Sequence, residues 1–307
     1  MTRTIRVALG ILSVLALSAI ANGAASAQPL VDPAWLRQHL HDQNLVVIDV
    51  YDGDQRAAFA SRHIPGALFT DFSKDPWRAR IGVAPGMLPA IKDAEKLIGS
   101  FGVDNKSQVV LVPGGREKAD FNATARIYWT FKALGHDKIS ILEGGDKAWF
   151  ADEADPVATG ATTAQAKKFV AHFRRDYLAT RADVKRAIRT HDAQLIDARP
   201  PAQFEGNAKS SAVRVAGTLQ GAVNVPAEDV LSADETRLID KPLLDSLLAK
   251  AGVKSGAKQI SFCNTGHLAS GTWFVLREIE GNRKVSLYAG SMSDWTSDIK
   301  LPVANKP

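Results

Sequence analysis

Leu45-Val-Val-Ile-Asp49 and Gln194-Leu-Ile-Asp197-Ala-Arg199 are two versions of one phrase, an apolar run that ends on an acid. An unbroken apolar run of this length suits a parallel strand buried on both faces. Outward from it, the same blocks recur in the same order. His63-Ile-Pro-Gly66-Ala67 answers Thr218-Leu-Gln-Gly221-Ala222-Val-Asn-Val-Pro226, each with a glycine turn before a short apolar segment. Gln108-Val-Val-Leu-Val112 and Gln259-Ile-Ser-Phe262 supply a second strand, and helix-period segments follow at 123–134 and 269–279, with Trp129 and Trp273 in matching places. Lys138-Ile-Ser-Ile-Leu-Glu-Gly144-Gly145 with Trp149 answers Lys284-Val-Ser-Leu-Tyr-Ala-Gly290-Ser291 with Trp295. One unit therefore occurs twice, at a period of about 150 residues. Strands alternating with helices predict an α/β fold, each copy a parallel sheet with helices on both faces. Thr180-x-x-Asp183 and Asp32-Pro33 mark the starts of corresponding helices. Residues 167–173 read as the first extended segment of the second copy, and Trp149 and Trp295 as core anchors.

The 307 residues are enough for two ordinary domains, and 45% apolar with 23% charged residues excludes a disordered or fibrous chain. Arg3 and Arg6 precede an almost wholly apolar run at 7–21, and Ala25-Ser26-Ala27 offers small residues for cleavage before Gln28. The expected organisation is a signal peptide at 1–27, a first domain at 28–151, a linker at 152–166 rich in Ala, Thr and Gly, and a second domain at 167–307. The expected location is periplasmic or secreted, with no stable membrane association after cleavage. The net charge is +5; residues 1–27 hold two arginines and no acids, so the mature chain carries about +3. That mild surplus argues against nucleic acid and modestly favours small anions. His39-x-His41 is no metal site, because helix positions two apart diverge and no acid or cysteine cluster accompanies them.

The chain has one cysteine, Cys263, so no internal disulfide forms and the fold rests on packing. Cys263 immediately follows the strand ending at Phe262, where open parallel sheets bind their ligands. The run Cys263-Asn264-Thr265-Gly266-His267-Leu268-Ala269 then leads into a helix. Backbone N–H groups of such a loop, with the helix dipole, would stabilise an anion on the sulfur. Gly266 would supply the backbone freedom of a tight turn.

Taken together, the strand-Cys-loop-helix unit, Ile-Asp-Ala-Arg, Gly-Ala-Val-Asn-Val-Pro and Tyr-Ala-Gly-Ser with Trp295 resemble a catalytic rhodanese domain. The first copy resembles the partner domain of tandem rhodaneses: its matching loop begins at Pro113, is about six residues longer and has no cysteine. The resemblance spans the mature chain. It implies a monomeric sulfurtransferase without metal or organic cofactor. Cys263 would take sulfur from a small anionic donor, thiosulfate or 3-mercaptopyruvate, as a persulfide and pass it to cyanide or a thiol.

The loop matches neither subtype of the family. Thiosulfate-type enzymes carry basic residues after the cysteine and mercaptopyruvate-type enzymes small neutral ones, whereas here Asn264 and Thr265 precede His267. Two readings of His267 stand: a positive charge or proton shuttle beside Cys263, or a solvent-facing residue at a helix start. Gln203 occupies the place of an arginine that relatives carry before Phe204. Arg199 and Arg214 are candidate substrate contacts, Arg199 with a competing structural role. Cysteine phosphatases need Cys-x5-Arg, and position 269 is alanine. The remaining alternative is a non-catalytic exported sulfur carrier or binding module on the same fold.

Overall fold

The computed structural model describes residues 27–305 except 54, 116–117 and 234–236, so the expected signal peptide lies almost wholly outside the described residues. Among those residues no helix is long and apolar enough to cross a membrane.

The first copy runs β1 (Leu30–Val31), α1 (Pro33–His39), β2 (Leu45–Tyr51), α2 (Arg56–Ser61) and β3 (Leu68–Asp71). A hairpin follows, β4 (Ala79–Ile81) and β5 (Ala84–Met87), then α3 (Ile91–Ser100), β6 (Gln108–Pro113), α4 (Lys118–Ala133), β7 (Ile139–Leu142) and α5 (Gly145–Trp149). The second copy comprises α6 (Arg181–Thr190), β8 (Gln194–Asp197), α7 (Pro201–Phe204), β9 (Val223–Asn224), α8 (Lys241–Lys250) and β10 (Gln259–Phe262). It ends with α9 (Leu268–Phe274), which continues as a π-helical turn at Val275–Ile279, then β11 (Val285–Leu287) and α10 (Ser291–Ser297).

The sheets have equivalent orders, β1-β7-β6-β2-β3 and β11-β10-β8-β9, with every neighbour parallel. A parallel bridge from Leu178 to Leu287 puts Leu178 where β1 stands in the first sheet. The duplication legible in the sequence is thus a duplication of topology. Both anticipated helix starts are built as expected. Asp32 accepts from the Trp35 N–H ahead of Pro33, and Thr180 and Asp183 close a capping box.

One expectation changes. Residues 167–173 form no strand and instead strap the first copy. Lys167 N–H donates to Gly99 O, His172 N–H to Leu134 O, and the Asn105 amide holds Val170 at both its N–H and C=O. These bonds satisfy backbone groups that an edge strand would leave open. The strap's successor in the second sheet is Leu178, which bridges to β11.

The largest apolar cluster is shared by the copies, with α4 and α9 packed at its centre. Phe121 and Tyr128 meet Phe274 edge to face, with ring centroids 5.8 and 5.0 Å apart. Such pairs are worth roughly 0.5–1.5 kcal/mol beyond burial. A side chain at Gly271 would fall 2.1 Å from Asn122 Oδ1, so glycine permits this crossing. Each sheet's outer face has its own cluster, anchored by Trp149 in one copy and Trp295 in the other. Their indole N–H groups bond Pro156 O and Pro302 O respectively, confirming both as core anchors.

Candidate active site

The register fixes what replaces the cysteine in the first copy. Asp49 pairs with Val112 and Asp197 with Phe262, so Pro113 stands where Cys263 stands. Cys263 is 1% exposed at the carboxyl end of β10. Its loop turns back over it so that the Gly266 N–H donates to Cys263 Sγ at 3.1 Å. Gly266 has φ +75°, and a side chain there would meet Ala289 O at 2.4 Å, so both backbone and space demand glycine. Of the several converging amides expected, this one bonds the sulfur.

The next contact comes from α10. Ser291 accepts from the Cys263 N–H at 3.0 Å, donates to Tyr288 O at 2.8 Å and has its Oγ 4.0 Å from Sγ. Ser291 has φ 52°, and Gly145, the same position in the first copy, has φ 54°. The left-handed region costs a side-chain-bearing residue about 1–2 kcal/mol. The second copy alone bears that strain, and it places a hydroxyl beside the sulfur. The Gly290-Ser291 against Gly144-Gly145 alignment was the signal for it, hidden by reading both as glycine turns.

The other residues expected around Cys263 divide into those that line it and those that do not. Asn264 Nδ2 donates to Gln203 Oε1 at 2.8 Å, so Gln203 anchors the loop in place of the family's arginine. Leu268 begins α9, and Ala269 is buried in the shared core with its carbonyl accepting from Ser261 Oγ. Arg199 is wholly buried and grips Asp197 with Nε and Nη2 at 2.6–3.1 Å, with Nη2 also on Gly217 O. Its charge is spent on that carboxylate. Arg214 turns to α10, its Nε donating to Thr296 O at 2.7 Å. Arg199 is thus neutralised within the fold, and Arg214 is turned to α10.

His267 is partly exposed but turns its ring inward. Its ring lies 4.9 Å from Phe72, and its Nε2 is buried without a partner. Burial pushes its pKa down to about 4, with Asp52 opposing and Arg78 reinforcing the shift. At neutral pH the imidazole is uncharged, so the positive-charge reading of His267 does not hold.

The first copy supplies what the second lacks. Thr265 O is so close to Gly86 in β5 that a side chain there would sit 1.7 Å from it. Arg126 in α4 is wholly buried, donates Nη1 to Gly266 O at 3.2 Å and lies over the Trp129 ring at 4.7 Å. Arg78, just before β4, is half-buried over Phe72 at 4.2 Å. Nothing local in the sequence marks these residues; Arg126 lies 140 positions from Gly266, which it bonds. Among the described residues no group of three or more His, Cys, Asp or Glu side chains could hold a metal.

The model of the rhodanese-like domain matches residues 32–152 and again 180–298. A Mycobacterium bovis protein named "Putative thiosulfate sulfurtransferase 1" is 31% identical over 287 residues, covering 89% of this chain and 96% of its own. The sulfur carrier protein TtuD of Thermus thermophilus is 27% identical over 302 residues, covering 92% and 98%. In fold, the chain is similar to SseA from Escherichia coli, described as a 3-mercaptopyruvate sulfotransferase, with TM-score 0.74 and 24% identity over 86% of this chain and 99% of that one. With the duplicated sheet, a cysteine at the strand end of one copy and these matches, the chain belongs to the rhodanese family, as a tandem of two rhodanese-like domains.

Proposed function

We propose that this protein is a sulfurtransferase that carries sulfane sulfur as a Cys263 persulfide, from thiosulfate or 3-mercaptopyruvate to cyanide or a thiol. The observation that carries the reading is the Gly266 N–H aimed at Cys263 Sγ in the copy that has a cysteine, where the other copy has Pro113. With thiosulfate, the Cys263 thiolate attacks the outer sulfur, a new S–S bond forms, and the old one breaks with its electron pair leaving on sulfite. Cyanide then attacks the terminal sulfur of the persulfide and departs as thiocyanate, restoring the thiolate. Splitting the transfer into two displacements is covalent catalysis. The amide of Gly266 serves the negative sulfur in both states, as preorganised donors do.

The apolar run at 7–21 and the small residues before Gln28 support export, so the protein would act outside the cytoplasm. Periplasmic and cytoplasmic fractions probed for the chain, with the amino terminus sequenced, test this; a terminus at Met1 in the cytoplasm refutes it.

Intact-mass measurement of the purified protein after thiosulfate or mercaptopyruvate should show a gain of about 32 Da on Cys263, removed by cyanide. A folded protein that gains no sulfur from either donor overturns the proposal. The likeness to a sulfur carrier gives a second reading its footing: a persulfide that forms but passes on only to a protein thiol would identify a carrier.

A further inference from the structure

Both donors considered above are anions, and the residues expected to meet them in the second copy are turned to other partners or lack a charge. Arg199 is neutralised by Asp197, Arg214 is held by Thr296, His267 is uncharged, and Gln203 fills the place of the expected arginine. The first copy presents the opposite situation. Arg126 is wholly buried, yet among the described residues its Nε and Nη2 have no hydrogen-bond partner, and no carboxylate pairs with it. Its third nitrogen, Nη1, bonds Gly266 O, and the N–H of that same residue bonds Cys263 Sγ. A buried guanidinium with two idle donors carries a large desolvation penalty unless something anionic completes it. Arg78 stands nearby, in the same electrostatic field, with its guanidinium over Phe72 and Phe72 in turn against His267.

We propose that Arg126 and Arg78, both from the first copy, form the anion subsite of the reaction, holding the sulfonate or carboxylate end of the donor while Cys263 attacks its sulfur. This rests on the sulfurtransferase reading and assigns the cysteine-free copy a direct part in substrate recognition. Arg126 presents the planar fork that matches two oxygens of such a group. Burial and the proximity of Arg78 push its pKa down to about 9, with Cys263 opposing, so it is still cationic at neutral pH. Two cations within electrostatic reach of one sulfur would also favour the thiolate and retain sulfite until the persulfide has formed.

The test uses the Cys263→Ser protein, which binds but cannot react, with sodium sulfite as the probe. Isothermal calorimetry should detect sulfite binding, weakened at least about tenfold by Arg126→Met and by Arg78→Gln, and less by Arg126→Lys, which keeps the charge but not the fork. Arg78 makes no bond to the loop, so its variant separates anion binding from loop support; circular dichroism checks that each variant is folded, and Arg78→Gln and Arg126→Lys decide the matter if Arg126→Met is not. Unchanged sulfite affinity in folded variants, or no binding when both arginines are present, overturns the subsite. The parent reading fails separately: wild-type protein that gains no sulfur in the mass measurement refutes sulfur transfer whether or not sulfite binds.

Discussion

Asp49 and Asp197 occupy the same position in the two copies, each wholly buried on a central strand. Asp197 is met by Arg199 and by the Thr218 hydroxyl at 2.7 Å. Asp49 has neither oxygen hydrogen-bonded, because Tyr51 stands where the arginine would be. Burial, reinforced by Asp146, raises the Asp49 carboxyl well above the usual carboxylate range, which favours its neutral form. Asp197→Asn should therefore cost about 3–5 kcal/mol, by stranding a buried arginine. Asp49→Asn, which puts a neutral amide where burial already favours the neutral acid, should change stability by less than about 1 kcal/mol. Urea unfolding measures both, and equal losses would contradict the contrast. Ser291 offers a second comparison. Ser291→Ala leaves the buried Cys263 N–H without its partner and should cost about 1–3 kcal/mol. Ser291→Gly loses the same bond but relieves the left-handed backbone, so it should be the more stable of the two by about 1 kcal/mol. If alanine is tolerated better than glycine, the backbone at 291 is not strained. At this scale the sequence disclosed Cys263 and Gly266, since both follow from a strand end and a tight loop. It did not disclose that Ser291 serves the sulfur, which depends on α10 starting within reach of β10.

Among the elements, the hairpin β4–β5 joins the first copy to the loop after Cys263 at a second place, beside the bond from Arg126 of α4. Gly86 touches Thr265 O, Met87 lies beside Gly290, and Ser293 Oγ reaches Val83 O at 3.5 Å. No hairpin was legible at 79–87, because Ala79-Arg-Ile-Gly-Val-Ala-Pro-Gly-Met87 lacks a sustained alternating pattern and contains Pro85. The segment is specified by its contacts with the other copy. Those contacts leave no room for a methyl group at position 86, and Gly86→Ala should push the hairpin away from the loop. A displacement of about 1 Å near reacting groups can cost roughly a hundredfold in rate. The expected result is a loss of that order in sulfur transfer to cyanide, with β2 and the rest of the first sheet still folded by circular dichroism. Retention of full activity would show that the hairpin yields without moving Thr265, and that it has no part in shaping the site.

Across the whole molecule, the copies fold around one shared core, with an outer cluster on each side. The repeat made the two sheets readable, because each block of sequence builds its own strand or helix. The contact between copies was not readable, because Arg126 on α4 looks like any polar helix position until Gly266 is placed beside it. Burial also pushes the pKa of two histidines down. His136 is 3% exposed, packed between Phe131 and Phe169 with centroids 5.6 and 5.8 Å away, and burial pushes its pKa down to about 4. His267, at the junction of the copies, is pushed to about 4 mainly by burial as well. On unfolding, both return toward 6.5, so between about pH 4 and 6.5 the unfolded chain binds more protons than the folded one. Their contribution to stability is fully present above about pH 6.5 and is lost as the pH falls toward 4. Asp137, held below the usual carboxylate range first by its hydrogen bond from Arg174, acts in the same direction at still lower pH. The urea midpoint should be nearly flat above pH 6.5 as far as these histidines are concerned and should decline steadily below it. His136→Leu, whatever it costs in absolute stability, should make that decline shallower, by up to one proton's worth of slope. A slope identical to that of the unmodified protein would show that His136 is protonated in the folded state, and that the core around Phe131 and Phe169 admits water.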